Sequence, residues 1–125
     1  MLNKAKIIAF IPTRNAEKSK AFYEGVLGLR FVSDDKFAMV FDANGTMIRI
    51  ARVPPYAPAQ FTIMGWEVTN IAEVVVAGLQ NKGVNFEKYD GLGQDKLGIW
   101  SAPGGAKVAW FKDPDGNILS LSEHN

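Results

Sequence analysis

The chain has 125 residues, of which 47% are apolar and 22% charged, with a formal net charge of +1. That is enough apolar chain for one globular domain with a real core, and it excludes a disordered segment. The near-neutral balance with dispersed basic residues gives no field for nucleic acid or a membrane surface, and no apolar run approaches the roughly 20 residues that span a bilayer. Cysteine is absent, which removes disulfides, thiolate nucleophiles and Cys-based metal sites. The opening Met1-Leu2-Asn3-Lys4 has no signal-peptide pattern, and a cytoplasmic location is expected from it.

Residues 6–12 form an apolar run closed by Pro12, which reads as a buried strand. Asn15 is a cap for a helix that runs to about Leu27, with Gly28 just past its end. Phe22 and Val26, four apart, are expected to share its buried stripe. Strands follow at about 29–33, 36–42 and 46–53. Asp34-Asp35 and Asn44-Gly45 are the turns between them, and Asn-Gly is the stronger hairpin signal. Residues 54–60 hold three prolines and read as an extended linker.

The second half repeats this order. A strand at 61–68 precedes Asn70, which with Glu73 forms a variant capping box. The helix runs to about Lys82 and stops at Gly83. Strands at about 84–89, 106–112 and 117–122 complete the half, with Asp113-Pro114-Asp115-Gly116 as the last turn. The extra length of this half falls mostly in 90–105, a stretch with five glycines and Trp100, which is either a surface excursion or a lid over a pocket.

The chain thus reads as two βαβββ modules, 6–53 and 61–122, joined by the linker 54–60 within a single domain. The expected fold is α+β, with a curved, mostly antiparallel eight-stranded sheet, helices on its outer face and a concave inner face. Aligning the two halves on their caps and glycine turns pairs Ile8 with Ile63 and Arg49 with Ser120. These four positions are expected to converge on one site.

Two segments carry a family likeness. Residues 15–29, with Phe22-Tyr23 and Leu27-Gly28, resemble the first helix of the vicinal oxygen chelate superfamily. Residues 108–117, ending Asp113-Pro114-Asp115-Gly116-Asn117, resemble its closing hairpin. The superfamily includes glyoxalase I, extradiol dioxygenases, fosfomycin-resistance enzymes and bleomycin-resistance proteins. The resemblance implies the fold and a homodimer. It also implies a divalent metal held by His and Glu at positions that here are Ile8, Arg49, Ile63 and Ser120. Ile cannot ligate, Arg is a permanent cation without a lone pair, and Ser is a poor neutral ligand. No metal and no cofactor is therefore expected.

Arg49 is read as a clamp for a ligand oxyanion or as half of a structural ion pair. Glu67, which shares parity with Ile63, is its counter-ion or the candidate general base. Ile8, Phe10, Met47, Phe61 and Ile63 are expected to wall the pocket with Ser120, and Trp100 either anchors its loop or stacks on a ligand. Trp66 has the helix-facing parity and is read as core. His124, the single histidine, is read as a solvated near-terminal residue, which leaves no Ser-His-Asp triad. The leading expectation is a metal-free protein that binds or sequesters a small organic molecule. The alternatives are a metal-independent isomerase or lyase using Arg49 and Glu67, a metal-dependent glyoxalase-like or dioxygenase-like enzyme, and a plain interaction module.

Overall fold

The computed structural model describes residues 1–124, apart from the side chain of Val76. It divides into two compact units, one covering Met1–Ala57 and the other beginning at Pro58. Each carries one four-stranded sheet with a single parallel pair. No helix among the described residues is long and apolar enough to cross a membrane.

In the first unit the strands are β1 (Ile8–Thr13), β2 (Arg30–Asp34), β3 (Ala38–Ala43) and β4 (Thr46–Arg52). They lie in the order β1-β4-β3-β2, with β1 parallel to β4 and the other neighbours antiparallel. Helix α1 (Ala16–Lys20) continues into a π-helical turn, Ala21–Val26. The Asn15 side chain caps it by accepting from the Lys18 amide at 3.1 Å, as its sequence position predicts. The expected Phe22–Val26 stripe is corrected. Ser19 and Tyr23 are the fully buried pair, while Phe22 and Val26 are half-buried. The Ser19 hydroxyl meets that of Thr13 at 2.7 Å, which turns this face of the helix inward. The wider π-turn then displaces later residues from their 3.6-residue positions. Tyr23 packs on Phe41, over a core of Ile11, Met39, Ile48 and Ile50.

Asn44 and Gly45 both have positive φ, 50° and 93°. This is the left-handed pair that a two-residue hairpin needs, and it joins β3 to β4.

In the second unit β5 (Thr62–Glu67), β6 (Trp100–Ser101), β7 (Lys107–Lys112) and β8 (Ile118–Glu123) are ordered β5-β8-β7-β6. Helix α2 (Ile71–Glu73) runs on as a π-helical segment, Val74–Leu79, and a 3-10 turn, Gln80–Lys82. Asn70 caps it, accepting from the Glu73 amide at 3.3 Å. The buried face of the sheet is Ala109, Phe111, Leu119 and Leu121, with Ile71, Val75 and Leu79 from the helix. Trp66 stacks on Phe111, in keeping with its helix-facing parity.

The strand expected at 84–89 is also corrected. Only Phe86 bridges to Phe111 there, and the fourth strand is Trp100–Ser101. Val84 is buried and Phe86 packs edge-on against Phe111. The segment is therefore held by side chains, while Trp100 takes the ladder beside Val108. Residues 90–99 are tied down internally. The Gln94 side chain donates to the carbonyls of Glu87 and Gly98 and accepts from the Tyr89 amide. The Asp95 carboxylate accepts from the amides of Leu97 and Ile99.

Candidate functional site

In the first sheet the register pairs Ile8 with Met47 and Phe10 with Arg49. Partners in a parallel pair emerge on one face, so these four side chains form a patch opposite the helix. Ile8 is 46% exposed, Phe10 64% and Met47 40%. Three large apolar side chains thus line an open surface, with one guanidinium among them.

Arg49 donates from Nη2 to Asp35 Oδ2 at 2.6 Å. Its guanidinium holds the Asp35 carboxyl below the usual carboxylate range, with the Ala38 amide helping. The neighbouring pair is bidentate: Arg52 donates to both oxygens of Asp34 at 2.8 and 2.7 Å. Asp34 is lowered to about 2, chiefly by that hydrogen bonding. The Asp34-Asp35 pair was legible only as turn chemistry. Its role as the anchor of two arginines emerges from the hairpin, which folds it back beside β4.

In the second sheet Ser120 is buried and pairs with Gly65. A Cβ at Gly65 would stand 2.9 Å from the Ser120 carbonyl oxygen and closer still to its Oγ. Gly is what lets β5 approach β8 here. The register shifts between Thr62 and Met64, so Ile63 is the extra residue of a bulge. The unbroken alternation expected from Ile63 to Glu67 is therefore interrupted at its start. Glu67 is strongly exposed, and its Oε1 lies 3.4 Å from His124 Nδ1. His124 is exposed but has this neighbour. Phe61, just before β5, is 69% exposed. Trp100 leans on Trp110 with ring centroids 6.1 Å apart, and Tyr89 meets Trp110 edge-on at 5.6 Å. Trp100 thus packs on a second tryptophan of its own sheet.

A divalent ion needs three or four N, O or S donors. Of Ile8, Arg49, Ile63 and Ser120, only Ser120 carries a side-chain oxygen, and Arg49 already bonds a carboxylate. Among the described residues, no three His, Cys, Asp or Glu side chains are grouped as a metal site requires. This donor set does not fit a divalent metal.

Paired βαβββ units that place these positions on their sheets define a glyoxalase-type fold. The chain belongs to the Glyoxalase/Bleomycin resistance protein/Dioxygenase superfamily, whose family model matches residues 6–121. Among solved structures, a superfamily member from Sphaerobacter thermophilus is 22% identical, with TM-score 0.75, covering 99% of this chain and 100% of that one. An antibiotic-binding protein from a Streptomyces species, TnmS3, is 21% identical, with TM-score 0.74 and coverage of 100% and 99%. A lactoylglutathione lyase from Agrobacterium tumefaciens is 17% identical, with TM-score 0.71 and coverage of 96% and 93%. At these identities the likeness is one of fold. No curated protein matches the chain.

Proposed function

We propose that this protein binds a small, largely apolar organic molecule without a metal ion, and acts by holding it rather than by converting it. The observation that carries the reading is the open patch of Ile8, Phe10 and Met47 around Arg49. An apolar surface with one placed charge suits such a ligand. Arg49 bonds Asp35 through one nitrogen, and a guanidinium has five N–H donors in all. It can therefore hold an acid group of the ligand while keeping its counter-ion. The antibiotic-binding neighbour supports this reading by its fold. A homodimer and a cytoplasmic location belong to the same proposal.

The second reading is a metal-independent isomerase or lyase. It uses Arg49 and Glu67, and the exposure of Glu67 favours it, because a general base must be within reach of the substrate proton it takes.

Native mass spectrometry of gently purified protein, without added metal or chelator, tests both the subunit number and the cargo. A dimer retaining an organic mass and no metal is expected. Arg49→Ala should then lower the retained fraction. A stoichiometric divalent ion would overturn the reading and restore a metal-dependent enzyme. Turnover of the retained molecule that disappears in Glu67→Gln would favour the second reading instead.

A further inference from the structure

The second unit carries a cleft of about 490 Å³, lined by Pro58, Ala59, Gln60, Tyr89, Lys112, Gly116 and Ile118. Its size falls within the roughly 300–1,000 Å³ of small-molecule sites. None of these residues belongs to the patch around Arg49.

Separate devices fix its walls. Gly116 has φ 90°, and a Cβ there would stand 3.3 Å from Pro58 Cγ. The β7–β8 turn therefore abuts Pro58 as only glycine readily allows. The turn is pinned from within, since the buried Asp113 carboxylate accepts from the amides of Asp115 and Asn117 and from the Asn117 side chain. Tyr89 is held at its amide by Gln94 Oε1 at 2.7 Å and at its ring edge by Trp110. The residue is still 40% exposed. Lys112 and Ile118 are register partners across β7 and β8, so their side chains emerge on the same face.

The chemistry of the lining selects a ligand class. Proline, alanine and isoleucine supply apolar walls, and Tyr89 supplies an aromatic one. Burial pushes the Tyr89 phenol above its ordinary range, with the Glu87 charge adding to it and the Lys112 charge opposing it. Lys112 is the one charged residue of the lining. Its ammonium meets Glu87 Oε1 at 3.5 Å, longer than the roughly 2.7–2.9 Å of a charge-assisted hydrogen bond. That contact leaves it able to take a closer anion.

We propose that this cleft binds a flat aromatic carboxylate, with its ring against Tyr89 and Ile118 and its acid group on Lys112. Gln94 is then a positioning residue, which holds the tyrosine without touching the ligand.

Titration of the full chain with 2-naphthoate, followed by amide NMR, tests this. Saturable shifts at Tyr89, Gln60 and Ile118 are expected. The neutral 2-naphthalenemethanol should bind about tenfold more weakly, as expected for loss of one charge-assisted hydrogen bond. Lys112→Met should abolish that preference, and Tyr89→Leu should weaken both probes. The absence of saturable shifts, equal affinity for acid and alcohol, or an unchanged preference in Lys112→Met would each overturn the proposal. Shifts confined to Phe10, Met47 and Arg49 would also overturn it, and would support the binding patch of the first sheet instead. Should either variant unfold, the comparison of acid and alcohol in the unaltered protein decides the matter.

Discussion

Arg49, on β4, meets Asp35, in the β2–β3 turn, at 2.6 Å. The cation on the open face of the first sheet thus has its counter-ion one hairpin away. The same carboxylate accepts from the amides of Phe37 and Ala38, so one side chain both shapes the turn and orients the arginine.

Those two roles separate by substitution. Asparagine at position 35 keeps an oxygen for the two amides and loses the charge, whereas alanine loses both. Asp35→Ala should therefore lower the melting temperature more than Asp35→Asn does. Equal melting temperatures would show that the backbone bonds contribute nothing beyond the ion pair.

Asp34 gives the first unit an acid limit. Its pKa falls from the ordinary 3.8 to about 2 because Arg52 donates to both oxygens. A lowered carboxylate stabilises the folded state above its unfolded value and loses that contribution as pH falls through the folded one. The loss belongs between about pH 4 and pH 2. Denaturant midpoints measured across that window should fall less steeply in Asp34→Asn than in the parent, and parallel curves would remove Asp34 from the acid response.

Tyr23 is fully buried, between Phe22 and Phe41. Tyr23→Ala removes an aromatic ring from the core of the first unit and should cost about 3–5 kcal/mol, as large-to-small aromatic substitutions do. Urea unfolding measures it. A loss below about 1 kcal/mol would mean that the core closes over the gap.

Gly65→Ala places a methyl against Ser120, and the overpacking should cost about 1–3 kcal/mol. The Ser120→Ala double variant removes the hydroxyl but not the backbone oxygen, 2.9 Å from the added carbon. It should recover part of the loss only. Full recovery in thermal melts would show that the β5–β8 approach yields at no cost.

Much of the architecture was legible because it rests on local chemistry. Asn15 and Asn70 cap helices because a short amide side chain reaches the amide three residues on. Asn44-Gly45 turns a hairpin because both residues tolerate positive φ. The open face of Ile8 and Phe10 follows from strand alternation. The alternation of Val84 and Phe86 with polar neighbours looks the same whether a segment pairs by backbone or packs by side chain, and here Phe86 packs on Phe111.

The sequence by itself determined the βαβββ repeat, its caps and turns, and which residue types occupy the positions where the superfamily resemblance expects ligands. Those features depend on residues a few places apart, whose conformational preferences act before any packing. Only the tertiary structure decided that Asp35 takes Arg49, that Glu67 lies beside His124, and that Ile63 falls in a bulge. It alone brought Pro58, Tyr89 and Lys112 around one cleft. Ion-pair choice and strand register depend on distances between segments far apart in the chain, and those distances exist only once each sheet has formed.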